Sequence, residues 1–226
     1  HACTPGFPIH SVPVEVEAWF EPLPKQREIT LMPRRRREDL LGAVQLMRRQ
    51  GLNGWRIVPI DGMTQQEVAQ AMGRSAIFLF GAEREGIGLP GAEAMAAGCY
   101  VIGFTGDGAK EYLTPDCAGV VLDSDVVGMC QQALEAMAIF DSDPQALAIK
   151  ADLGRERILK GHSSDAVRRA LATAFEQITA HDSPAVIQRS VRLKHYQAFG
   201  NRPGWHWAAY RKARTVGGKV VARLGR

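Results

Sequence analysis

The stretch AIFLFGAEREGIGLPGAEAMAAGCYVIGFTGDGAKE, residues 76–111, decides the fold. It opens on an apolar run, residues 76–80, with the continuous hydrophobicity of a strand buried on both faces. A polar loop follows, carrying Glu83, Arg84 and Glu85, and then Gly86 and Gly88, which permit close backbone approach and unusual dihedrals. Leu89 and Pro90 open a helix over residues 90–97, with Pro90 suited to its first position. A second apolar run at residues 100–104 leads into Gly106 and Gly108. Strand, glycine turn, helix and strand make one unit of a parallel sheet. Its loop lies at a strand's carboxyl end, where a helix amino terminus attracts phosphate or electron-rich hydroxyls. Glu93, early in that helix, has the chemistry to hold two vicinal hydroxyls, as a ribose diol requires.

The same texture extends both ways. Upstream, residues 29–32 suit a buried strand, residues 39–50 a helix with Leu40, Leu41, Val44 and Met47 at helical spacing, and residues 55–60 a second strand. Thr64-Gln65-Gln66-Glu67 fits a capping box at the start of a further helix. Downstream, residues 119–122 suit a fifth strand, and helices are expected over 126–137, 144–159 and 164–179. The fold class is therefore α/β, a Rossmann-like doubly wound parallel sheet with C-terminal helices and a basic tail. The first 28 residues hold five prolines and cannot form a long helix; they suit an extended linker with one short strand in HSVPVEV, residues 10–16.

Composition narrows the class. No run of about 18 apolar residues is present to span a membrane. Cys3, Cys99, Cys117 and Cys130 lie far apart, without the spacing of a zinc site or a disulfide framework, so the last three suit small buried residues in a reducing compartment. His162 and His181 fall in late segments and suit surface or hydrogen-bonded roles. The formal charge of +4 hides a division: ten Lys and Arg but no Asp or Glu follow residue 182, leaving 18 basic against 24 acidic residues before it. In that tail the cations alternate with Tyr196, Phe199, Trp205, Trp207 and Tyr210, which suits an anionic membrane surface better than nucleic acid.

EGIGLPGAEAMAAG, residues 85–98, resembles the EGFGLPxxEAMAxG signature of family-4 type GT-B glycosyltransferases, whose two glutamates correspond to Glu85 and Glu93. The following CYVIGFTGDGAKEYL resembles that family's strand, glycine loop and glutamate, with Gly106, Gly108 and Glu111 in the matching places. AGVVLDSDVVGMCQQALEAM resembles its closing strand, Asp and helix. The resemblance runs from about residue 12 to 178. It implies one lobe of a GT-B fold that binds a nucleotide-diphosphate sugar and transfers the sugar with retention to a glycan, lipid-linked or protein acceptor. Glu85 is implied to act catalytically on the donor sugar, and Glu93 to hold the ribose. The backbone of Gly86, Ile87, Gly88 and Leu89, with Gly106 and Gly108, is implied to contact sugar and phosphates. Neither a metal nor a cofactor is implied, because cations and helix ends neutralise the departing diphosphate. Arg34 matches the family arginine after the first strand, and Arg36 or Arg37 replaces its lysine.

Three departures qualify this. No acceptor lobe precedes residue 28, so the N-terminal lobe is expected in the same gene or in a separate chain; without it the lobe would bind nucleotide sugar or pair with a partner without catalysis. The opening HACTPGFPIH lacks a secretory pattern, and without an initiator Met it is expected to start a fragment or a processed chain; HSVPVEVEAWFEPLP, residues 10–24, resembles the family's interdomain connection, which favours a fragment. Between residues 50 and 76 the chain is one strand-helix step shorter than the family. The expected organisation is an interdomain linker at 1–27, the donor-binding domain at 28–182 and the tail at 183–226, located in the cytoplasm and peripheral at the inner membrane face.

Overall fold

The computed structural model describes residues 10–83 and 86–179. Residues His10–Ala172 form one compact unit, described here. Five strands and six helices follow one another: β1 Gln26–Leu31, α1 Arg37–Gln50, β2 Arg56–Pro59, α2 Gln65–Arg74, β3 Ser75–Gly81, α3 Leu89–Ala96, β4 Tyr100–Phe104, β5 Gly119–Val121, α4 Val126–Ser142, α5 Pro144–His162 and α6 Ser164–Thr179, with a 3-10 turn at Ala109–Glu111. The strands make a single parallel sheet in the order β2-β1-β3-β4-β5. The expected doubly wound α/β fold is present.

The period of two along each strand feeds two cores. Phe78, Phe80 and Val101 point to the layer of α2 and α3, where Met72 and Met95 meet them. Ile77, Leu79, Ile102 and Phe104 point the other way, to Val44, Met47 and Met129 of α1 and α4. Burial on both sides is why residues 76–80 are an unbroken apolar run; burying each large side chain there contributes about 2 kcal/mol. The α5 helix packs against α3, α4 and β4.

Local signals in the sequence explain the helix starts. Thr64 Oγ1 accepts from Glu67 N–H, and the Glu67 carboxylate accepts from Thr64 N–H, closing the capping box at α2. Asp125 caps α4 through Gly128 N–H, and Asp143 caps α5 through Gln145 and Ala146 N–H. Pro90 occupies the second position of α3, after Leu89, one later than expected.

The segment before β1 departs from expectation. Residues 10–16 form no strand: Pro13 removes a donor, and no sheet edge lies alongside. Instead Val16 N–H donates to His162 O at 2.8 Å, His162 Nδ1 pairs with Val14 O, and Val16 and Phe20 enter the α2–α3 core.

The amino ends of the strands hold a second device. Lys25 Nζ donates to Gly73 O and Ala97 O, each at 2.7 Å, and to Met72 O at 3.3 Å. One ammonium thus serves the carboxyl ends of both α2 and α3, where helix dipoles favour a cation. Burial lowers its pKa. Beside it, the buried Glu28 carboxylate is paired by Arg56 and by Arg74, the latter at 3.0 Å.

Candidate functional site

The chain leaves β1 toward β2 and leaves β3 in the opposite direction toward β4. The loops after β1 and β3 therefore diverge and open a crevice at the carboxyl ends, the usual ligand position in such sheets. The turns after β4 and β5 border it. Among the described residues, the expected site residues lie on these loops, at the first position of α1 (Arg37) or in the first turns of α3.

The glycine turns form the most tightly built part. Gly88 adopts a left-handed conformation, φ +71°, as the residue before α3, and no side chain caps that helix. A Cβ on Gly88 would lie 2.7 Å from the Phe80 ring, and one on Gly91 would lie 2.7 Å from the Tyr112 hydroxyl. That hydroxyl donates to Gly88 O at 2.7 Å. Across the crevice floor the turns meet backbone to backbone. A Cβ on Gly108 would stand 2.1 Å from Gly86 O, and one on Gly106, at φ +51°, would stand 2.1 Å from Glu83 O. Glycine is required at 106 and 108 by contact between main chains, whereas Gly86 faces open space. Ile87 and Leu89 turn their side chains to the α2–α3 core, so only their backbone is offered to a ligand.

Glu93 lies on α3, half-buried, and among the described residues no donor reaches its carboxylate. Burial, with Glu17 adding like charge, raises its pKa from 4.5 to about 7. A desolvated acceptor beside a helix amino end suits hydroxyl donors. Glu85 lies outside the described residues, as do the tail at 183–226 and His181. Glu111 is exposed on the 3-10 turn.

The arginine turn splits in two. Arg34 and Arg37 are exposed, and Arg37 reaches only its own turn, donating to Pro33 O at 3.5 Å. Arg36 is instead engaged by protein groups. Its Nε stands 2.7 Å from Asp39, off the hydrogen-bond axis, and its Nη2 stands 2.7 Å from Ser124 Oγ and 3.2 Å from Asp123. The sequence offered no reason to single out Tyr112, Asp123 or Ser124. The tyrosine acts through its hydroxyl on a carbonyl 24 positions away, and the Arg36 contacts cross 88 positions.

Cys99, Cys117 and Cys130 are buried free thiols. No helix of the described residues is long and apolar enough to cross a membrane.

The family Glycosyl transferases group 1 matches residues 56–147. An alpha-1,6-glucosyltransferase of Actinobacillus pleuropneumoniae serotype 7 (strain AP76) is 38% identical over 104 residues, which make up 44% of this chain and 32% of that relative. The chain thus spans about a third of the length of the curated relative it matches. The C-terminal domain of a glycosyl transferase group 1 family protein, LpcC, from Francisella tularensis superposes with a TM-score of 0.51 at 17% identity, over 67% of this chain and 99% of that domain. Anabaena HepE, solved in complex with UDP and glucose, gives a TM-score of 0.52 at 13% identity, over 67% of this chain and 48% of its own. Over residues 56–147 the chain thus resembles the group 1 glycosyltransferases, and its fold is that of the C-terminal domain of such a protein.

Proposed function

We propose that this lobe binds a nucleotide-diphosphate sugar and is the donor half of a retaining glycosyltransferase, completed by an acceptor lobe that the same gene or another chain supplies. The observation that carries it is the meeting of an uncapped helix amino end, two interlocked glycine turns and the desolvated Glu93 carboxylate, which no described donor reaches, at the carboxyl ends of β1, β3 and β4. Glu93 accepts the two ribose hydroxyls. Main-chain N–H groups of Gly86 to Leu89 face the sugar and the diphosphate. Arg34 and Arg37 offset the charge that develops on the departing diphosphate, without a metal ion. Glu85 stands by the reacting carbon and stabilises its positive charge while the acceptor hydroxyl enters on the face the diphosphate leaves.

The relative's name supports sugar transfer, and the UDP in the HepE crystal supports a nucleotide donor. The acceptor is a glycan, a lipid-linked glycan or a protein. The cations and aromatics of residues 183–226 suit an anionic membrane surface on the cytoplasmic side, where such acceptors are assembled.

Titration calorimetry of the 226-residue chain with UDP, GDP and dTDP tests the reading. Binding of one of them, weakened about tenfold or more by Glu93→Ala, is expected. No binding by any of the three would remove the donor assignment.

A further inference from the structure

Three non-glycine residues among those described hold positive φ: Arg36 at 50°, Asn53 at 44° and Ser124 at 65°. Two of the three touch each other, since Arg36 Nη2 donates to Ser124 Oγ at 2.7 Å. A left-handed conformation costs an ordinary residue about 1 kcal/mol or more and persists where surrounding contacts over-determine it. Here those contacts cross the sheet. The Arg36 Cβ lies where a side chain on Gly81, the last residue of β3, would meet it at 2.9 Å. Its guanidinium lies 5.0 Å from the centroid of the Phe104 ring at the end of β4. Its tip reaches Asp123 and Ser124, just beyond β5.

We propose that Arg36 is a positioning residue, a strut that locks the turn after β1 to the turn after β5 across the ends of β3 and β4 and so fixes one wall of the donor crevice. The proposal rests on the reading of that crevice as a nucleotide-diphosphate site. Charge separates this role from that of a phosphate ligand. Arg36 brings its one positive charge to two carboxylates, Asp39 and Asp123, which offset it and leave less for a diphosphate than Arg34 and Arg37 offer. Its side chain is 16% exposed, whereas Arg34 and Arg37 on either side are open to solvent. Gly81 has a matching purpose: it leaves the space through which the strut passes.

Two measurements on the 226-residue chain decide it. The first is hydrogen exchange with no ligand present. Arg36→Ala should raise amide exchange in residues 122–128, and Asp123→Asn should raise it in residues 33–38, each on the far side of the crevice from the change. Should Arg36→Ala fold poorly, Arg36→Gly removes the guanidinium and the left-handed strain together. Unchanged exchange in 122–128 on loss of Arg36 overturns the proposal. The second is calorimetry with UDP, GDP and dTDP on variants shown by circular dichroism to be folded. Arg36→Ala and Asp123→Asn should each weaken the bound nucleotide about tenfold, and the double variant should be no weaker than either alone. If Asp123→Asn leaves affinity unchanged or tightens it while Arg36→Ala weakens it, Arg36 is a phosphate ligand and the strut is wrong. If the wild type binds none of the three nucleotides, the donor reading falls, and the exchange result still decides whether the strut exists.

Discussion

The Tyr112 hydroxyl donates to the Gly88 carbonyl at 2.7 Å, tying the turn after β4 to the left-handed residue that starts α3. Tyr112 is 2% exposed, so the bond is shielded from water. Tyr112→Phe keeps the ring and removes the donor. Because Gly88 O also accepts from Gly91 N–H at 3.0 Å, the loss should be about 1 kcal/mol in urea unfolding. The glycine turn should loosen with it, seen as weaker nucleotide binding in the same variant. An unfolding midpoint equal to that of the wild type would show that the bond contributes nothing.

The two glycines at the floor of the crevice should respond very differently to the same change. Gly86→Ala puts a methyl into open space, whereas Gly108→Ala drives one to 2.1 Å from Gly86 O. The first should alter stability by less than about 0.5 kcal/mol, and the second should cost about 2 kcal/mol or more, because backbone rather than a flexible side chain must move. Paired thermal melts give the comparison. Equal melting temperatures for the two variants would contradict the interlocked turns.

Glu93 ties stability and binding to pH with opposite signs. Its pKa is raised to about 7 in the folded chain from 4.5, so between these values the folded state binds more protons than the unfolded state. Stability from this group is fully present below about pH 4.5 and falls as pH rises through about 7. Glu93→Gln should remove that fall and leave the protein about 1–2 kcal/mol more stable than the wild type at pH 8. A carboxylate that accepts ribose hydroxyls must be ionised, so nucleotide affinity should rise over the same window in which stability declines. Calorimetry and urea melts at pH 5.5 and 8 measure both slopes, and slopes of the same sign would refute the assignment.

Lys25 presents the clearest structural test. Lys25→Met keeps much of the stem but leaves the Gly73 and Ala97 carbonyls without its ammonium. A loss of about 1–3 kcal/mol is expected, with nucleotide affinity unchanged, since the residue lies at the far ends of the helices from the crevice. A binding defect without a stability defect would place it in a different role.

How far the sequence reached follows from what each element depends on. The β3 run and the Thr64–Glu67 capping box were legible because their determinants are adjacent in the chain: burial on both faces for one, two residues three apart for the other. The glycine turns were legible as glycines, but which of them are obligatory was not. That depends on main-chain contacts between residues 86 and 108, which no local pattern encodes. The arginine turn shows the limit best. Four consecutive arginines look equivalent in sequence, and their division rests on Asp123 and Ser124, contributed by the far side of the sheet. The strand expected at residues 10–16 failed for a related reason: alternation and β-branched residues favour extension, but a strand also needs an edge to pair with.

The near-contact of Gly86 and Gly108 has a mechanical consequence. Two main chains already at van der Waals distance cannot approach further, and the Tyr112–Gly88 bond resists their separation. Push either turn and the other must travel with it, as two plates riveted at one edge. Whatever a ligand displaces at one glycine turn is therefore felt at once at the end of the neighbouring strand, β4, with no side chain needing to change its rotamer.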